Sequence, residues 1–297
     1  MTGSSEVGSA ARRDLRDGIP ADLRRPLRLL AVHAHPDDET LATGLTLAHH
    51  ASAGDEVHVL TCTLGEEGEV ITPELSGLEG TEELGPHRAL EVARATSILG
   101  VTHHWLGGDP PRWRDSGMAG SAAAAHPRAF VNADVQQAAQ MMAEQIRALR
   151  PDVVVTYDPE GGYGHPDHIH THRVTMAAVG LLSAPERPVT YVVLIPRAWA
   201  EQDRAWLAEH VPSGTRSPAG GVARVPAPEE PYAVGVVDDD KVTHAVQDPA
   251  AAVIQASALR EHGTQVTVHE GWYTLSNDVA ARISGREGFA RWETGQW

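Results

Sequence analysis

One cysteine, Cys62, is all that this chain of 297 residues carries, so no internal disulfide can form. It lies within the strand-like run EVHVLTCTL, which predicts a buried thiol in a reducing compartment. No apolar stretch approaches the ~20 residues that cross a bilayer. Nor do the first residues contain an apolar signal core, so the expected location is the cytoplasm. Cations are scarce as well: 24 Lys and Arg stand against 40 Asp and Glu, a formal charge of −16. With no basic cluster to override that balance, neither nucleic acid nor an anionic membrane is expected as a partner. The glycine fingerprint of a dinucleotide-binding turn is also missing. HAHPDDET occupies the turn after the first strand, which argues against a nicotinamide or flavin oxidoreductase.

What the chain does have is alternation. Residues 1–26 lack apolar periodicity and read as a flexible leader. Strands are then expected at 27–33, 56–64, 103–106, 152–157 and 189–195, with helices at 38–53, 82–99, 133–149, 166–182 and 197–210. Near-continuous apolar strands separated by helices imply an α/β fold, a mostly parallel sheet flanked by helices. A long Gly/Pro-rich connection follows residue 106. The length accommodates one large α/β domain with a small appendage. We expect a catalytic domain over 27–200 and a smaller C-terminal α+β portion over 201–297, packed on it and lining the substrate pocket. In the tail, a Pro/Gly-rich stretch at 211–231 precedes short strands near 232–246 and a helix near 249–262.

The stretch VHAHPDDETLATG, residues 32–44, crowds three carboxylates into Asp37–Thr40 directly after a buried strand. The pattern recurs as GHPDHIHTH after the strand DVVVTY, so HPDD (35–38) and HPDH (165–168) both begin helices at strand carboxyl ends. Proline suits a first helical turn, and the helix dipole eases the repulsion between acids placed there. Parallel α/β sheets place ligands at that edge. A cation between the two motifs would resolve the crowding, and two imidazoles with one carboxylate and an open position form a common catalytic zinc set. His35 and Asp38 can chelate from one turn, and one histidine of the pair His165 and His168 can complete the triad. His170 and His172 are weaker candidates on the same helix. Zinc-bound water has a pKa of roughly 7, and a neighbouring carboxylate outside the coordination shell can take its proton. Asp37 suits that role; Tyr163 and His165 on GGYGH can point into the same cleft and stabilise an oxyanion.

HPDDE followed by GGYGHPDHIHTH resembles the LmbE-like/PIG-L zinc-dependent de-N-acetylases, which implies a Rossmann-like fold. VLTCTLGEEGEV and RWRDSGMAG resemble the mycothiol-biosynthesis branch, with weaker likeness in HGTQV and LSN of the tail. The resemblance implies a small-molecule substrate, N-acetylglucosaminyl-inositol, losing its acetyl group. It also implies one zinc ion per chain, with Fe2+ an alternative occupant of the same ligand set. Carried over by position, it implies His35, Asp38 and His168 as metal ligands, Asp37 as general base, and Tyr163 and His165 on the oxyanion or the leaving amine. Arg88, Asp115 and Glu69 match substrate-contacting positions, and Asp167 is expected to orient a histidine or a water. The segment 211–231 has no counterpart in that pattern. The nearest rival is the related mycothiol S-conjugate amidase, which shares the metal and the chemistry. A third possibility is a non-catalytic carbohydrate- or metal-binding protein, but binding alone does not need the spare carboxylate of Asp37.

Overall fold

Alternating apolar residues divide each central strand between two helical layers. In the computed structural model, which describes residues 13–19, 26–218 and 220–293, β1 (Arg28–His33), β2 (Glu56–Thr61) and β4 (Val153–Tyr157) run parallel at the centre of a seven-stranded sheet. Leu29, Ala31, Val57, Val59, Val153 and Val155 face one side, where α1 (Asp38–Ser52), α2 (Leu84–Leu99) and α7 (Pro249–Leu259) pack. Leu30, Val32, Leu60 and Val154 face the other, against α3 (Val135–Leu149) and α5 (Pro166–Gly180). Each of these apolar residues thus buries its side chain in one layer or the other, as a sheet covered on both faces requires.

The strand order is β3-β2-β1-β4-β5-β12-β8, with β3 at Thr102–Trp105, β5 at Val189–Val193, β8 at His244–Gln247 and β12 at Arg286–Arg291. The first five are parallel; β12 runs antiparallel to both β5 and β8. From β1 the chain winds outward through β2 and β3, then returns to place β4 on the other side of β1. The order reverses between β1 and β4, so their following turns diverge and open a crevice at the carboxyl edge. Both histidine–proline–aspartate motifs leave from these two strands.

The structure bears out the expected parallel α/β architecture, with its α+β tail. Residues 13–19, however, lie in the segment read as a flexible leader and are packed: Leu15 is fully buried in the core, on the 3-10 turn Leu15–Gly18, and Arg13 bridges to His244. A single leucine in a polar segment carries no periodicity, which is why it was not legible; residues 1–12 and 20–25 lie outside the described residues. The tail is also more strand-rich than its sequence suggests. Beyond α4 (Gly161–Gly164) and α6 (Arg197–His210), β6 (Ile195–Pro196) pairs with β7 (Val236–Val237). A small antiparallel sheet joins β9 (Thr267–Val268), β10 (Trp272–Thr274) and β11 (Ala281–Arg282). Among the described residues no helix is long and apolar enough to cross a membrane.

Strand β12 inserts Phe289 into the core, with no exposure, opposite Val193 on β5 and His244 on β8. Phe289→Ala is expected to cost about 3–5 kcal/mol, because the cavity adds to the lost transfer energy. Urea unfolding of both proteins measures it; an unchanged midpoint would show that the far edge of the sheet adds nothing to stability.

Candidate metal centre at the switch point

His35 leaves β1 and Asp38 opens α1, while His168 sits in the first turn of α5 beyond β4. The turn between β4 and α5 is tight. Gly161 has φ +68°, and a Cβ there would come within 2.7 Å of the His168 Cβ, so only glycine lets the turn close on the histidine. Its carbonyl oxygen lies 3.2 Å from His168 Nδ1 and accepts that proton, which leaves the Nε2 lone pair free. On the other side, His35 Nε2 lies 3.3 Å from Asp167 Oδ2 and 3.4 Å from Asp115 Oδ1, so it donates to carboxylate and frees Nδ1. The two free lone pairs meet at Asp38: His35 Nδ1 to Asp38 Oδ2 is 3.2 Å, His168 Nε2 to Asp38 Oδ2 is 3.2 Å, and the two nitrogens are 3.3 Å apart.

That triangle tests whether a metal fits. Donors bound at about 2.0–2.2 Å around a tetrahedral zinc lie roughly 3.3–3.6 Å from one another. The edges of the triangle come close to that spacing without rearrangement. His35, His165 and His168 also gather ligand atoms within 4.8 Å, as do His35, Asp115 and Asp167. Those sets share His35 but use groups already engaged: His165 Nδ1 accepts from Asp167 N–H at 3.1 Å, and Asp167 Oδ2 from Ser116 N–H at 2.9 Å. The charges agree with the triangle. Burial alone would raise Asp38, but attraction and hydrogen bonds from His168 and His35 outweigh it and hold the carboxyl well below the ordinary range. Burial would likewise lower His35, yet Asp115, Asp167 and Asp38 raise its pKa well above normal. A pocket that draws protons onto an imidazole this strongly is one that a divalent cation can occupy in their place.

Asp37 stands beside the triangle without joining it. Its φ of 109° is outside the range that side chains ordinarily adopt, and its N–H is tied to Glu39 Oε2 at 3.0 Å. Its Oδ2 accepts from Arg88 Nη2 at 3.1 Å. Burial pushes the Asp37 carboxyl up to about 6, against the pull of Arg88. Arg88 itself is buried, donating Nη1 to Gly65 O at 2.6 Å and Nη2 also to Pro36 O, so the guanidinium clamps the loop that presents Asp37. His165 lies edge-on to His35 with centroids 4.7 Å apart; burial and the neighbouring His35 lower it to about 4, leaving a neutral ring with its proton on Nε2. Tyr163, 57% exposed, stands over His168 at the mouth of the cleft, its phenol shifted upward by the partial loss of water around it and by Asp38.

Asp115 accepts from Gly117 N–H at 2.8 Å as well as facing His35. Glu69 lies exposed on the rim of the cavity, its carbonyl bonded to Gln265. His170 and His172 take no part in the cluster: His170 packs on Phe130, and His172 Nδ1 bonds the Tyr157 carbonyl at 2.8 Å. Two groups in this region were not anticipated. Tyr157 stacks on His168 with centroids 4.1 Å apart and accepts from Ala34 N–H through its hydroxyl at 2.9 Å. Buried Glu39 meets His262 at 2.9 Å; the HGTQV stretch held that signal without revealing the partner. The cleft is a cavity of about 890 Å³, and its far wall comes from Trp199 and from Asp203, Arg204, Tyr273, Arg282 and Glu287 of the C-terminal portion.

Fold and site together define an α/β protein whose switch-point crevice directs imidazole and carboxylate donors at a single point. The chain belongs to the PIG-L family, GlcNAc-PI de-N-acetylases, which it matches over residues 30–179. A protein of Streptomyces avermitilis named 1D-myo-inositol 2-acetamido-2-deoxy-alpha-D-glucopyranoside deacetylase is 43% identical over 265 residues, 85% of this chain and 87% of the relative. One of the same name from Actinosynnema mirum is 44% identical, covering 89% of this chain and 92% of the relative. Among solved structures, a deacetylase of teicoplanin biosynthesis in complex with bog aligns over 90% of this chain and 100% of its own, with a TM-score of 0.54. At 18% identity that likeness speaks for the fold alone.

Proposed function

We propose that this protein removes the N-acetyl group from N-acetylglucosaminyl-inositol in mycothiol biosynthesis. The observation that carries this is the triangle of His35 Nδ1, Asp38 Oδ2 and His168 Nε2, edges 3.2–3.3 Å, with the acid Asp37 beside it and outside it, bonded to Arg88. The substrate is the one in the names of relatives at 43–44% identity. His35, Asp38 and His168 would hold one divalent ion, zinc or iron(II). When bound, such an ion polarises a carbonyl and lowers the pKa of water to about 7.

The chain's own groups divide the remaining work. Asp37, kept out of the donor set and steadied by Arg88, takes the proton of the attacking water. His165, neutral with Nε2–H available, donates to the oxygen that gains charge at the amide carbon. Tyr163 closes the mouth and offers a second donor. Asp115 and Asp167 hold His35 in the tautomer that frees Nδ1. We place the protein in the cytoplasm, a compartment in which its buried thiol Cys62 stays reduced.

Asp167→Asn tests the last point. Loss of the negative charge that steadies the His35 Nε2–H is expected to weaken metal affinity roughly 10–100-fold, measured by competitive zinc titration with a chelating dye. Unchanged affinity would remove Asp167 from this role. For the reaction itself, amine release from N-acetylglucosaminyl-inositol is compared with cleavage of a mycothiol S-conjugate. A large preference for the former is expected; preference for the conjugate would overturn the assignment in favour of the amidase.

A further inference from the structure

The chemistry above occupies one end of the cavity, where α1 begins. Farther along α1 the wall carries a carboxylate that the reaction does not use. Glu287 of β12 has both oxygens fixed by the helix main chain: Oε1 accepts from Leu45 N–H and Oε2 from Thr46 N–H, each at 2.9 Å. Gln255 of α7 reaches the same turn, donating Nε2 to Thr40 O at 3.0 Å and lying 3.4 Å from Glu287 Oε1. Gly44 makes the approach possible, since a Cβ there would meet Gln255 Cγ at 3.0 Å. Tyr273 of β10 lines the same wall, and its hydroxyl has no hydrogen-bond partner among the described residues. Burial, with Asp37 and Glu287 facing it, pushes that phenol up to about 12.

An ionised carboxylate offers about four acceptor directions; the two N–H groups take one on each oxygen and the Gln255 amide reaches Oε1 only at 3.4 Å, which leaves acceptor capacity on the carboxylate. Burial accordingly raises Glu287 to about 7, as expected of an acid whose protein partners do not fully replace water. The position along the helix matters too. Leu45 and Thr46 lie seven and eight residues beyond Asp38 in α1, about 10–12 Å along its axis. With the amide at the metal centre, that is farther than a single pyranose ring spans. What arrives there is the group the sugar carries.

We propose that Glu287, with Tyr273 and Gln255, is a specificity-determining subsite for the cyclic polyol attached to the amino sugar. The carboxylate accepts two neighbouring hydroxyls, one on each oxygen, with the Tyr273 hydroxyl and the Gln255 amide beside it. This rests on the N-acetyl-sugar reading above, and explains how the chain distinguishes a glycosylated cyclitol from the bare sugar. Acceptors fixed before binding lose little entropy, and an analogue lacking the hydroxyls leaves them desolvated without partners.

The test compares kcat/KM on N-acetylglucosaminyl-inositol and on N-acetylglucosamine for wild type, Glu287→Gln and Tyr273→Phe, all metal-loaded. The preference for the polyol glycoside is expected to shrink at least ~10-fold in Glu287→Gln, mainly through KM, the scale of a lost hydrogen bond to a charged acceptor. Tyr273→Phe, which leaves the contacts to α1 in place, moves the ratio the same way by roughly 3–10-fold, about one neutral hydrogen bond. An unchanged ratio in both variants, with both substrates slowed equally, overturns the proposal and makes Glu287 a staple between β12 and α1. Wild type that deacetylates neither substrate instead overturns the underlying function.

Discussion

Asp37→Ala is expected to retain one metal ion per chain and to lose roughly 10²–10⁴-fold in amide hydrolysis, the scale of a missing general base. Asp37 is not one of the three groups whose atoms form the 3.2–3.3 Å triangle, so coordination survives its removal. Its carboxylate is bound instead to Arg88, on a main chain held at φ 109°. Alanine keeps the Cβ that makes that backbone costly to hold and leaves buried Arg88 only its carbonyl acceptors, so a modest loss of stability should accompany the loss of activity. The measurement pairs elemental analysis with steady-state amine release. A variant of full activity would hand the proton transfer to another group, with His165 next in line by position.

Asp38→Ala is expected to fail earlier, at metal binding. Its Oδ2 is the one oxygen of the triangle and also accepts the His35 main-chain N–H at 2.9 Å, fixing the turn from which His35 projects. Without it two imidazoles face each other across an open corner. The protein should emerge with far less than one equivalent of metal, and added zinc should no longer raise its melting temperature, since a ligand stabilises only by binding the native state. Activity should fall further than in Asp37→Ala, because no activated water is left for Asp37 to deprotonate. Stoichiometric zinc in Asp38→Ala would mean that the ion is held elsewhere, with the set of His35, His165 and His168 the first alternative.

The run HPDDE already sets two adjacent carboxylates after a buried strand, and the structure turns Asp38 toward the two histidines and Asp37 toward Arg88. Much of the fold was equally open to view. Helix α6 occupies the residues its spacing indicated, and both motifs lie at the strand ends that the apolar runs defined. Local pattern does not carry long-range pairing, however. Arg88 reads as one more cation on an amphipathic helix, yet it is buried against a turn fifty-one residues earlier. Glu39 and His262 meet across 223 residues, a distance no periodicity spans. Strand β12, REGFAR, looks polar because Glu287 points at the main chain of α1 rather than at water. The segment 211–231, unplaced by resemblance, is held by Arg204 on the carbonyls of Ala227, Pro228 and Glu230, by Ala223 and Val225 against Trp272, and by the single bridge of Arg224 to Val279, contacts too irregular to imprint alternation.

The antiparallel edge formed by β8 and β12 has a consequence for how the enzyme comes into being on the ribosome. The three groups of the His35, Asp38 and His168 triangle, the proposed ligands, are all present once residue 168 has emerged, whereas the last wall of the cleft waits for residues near 290. A nascent or proteolytically shortened chain could therefore load its ion while still lacking the surface that selects what is cleaved. Acquisition of metal and acquisition of selectivity would then be separate moments in the life of each molecule.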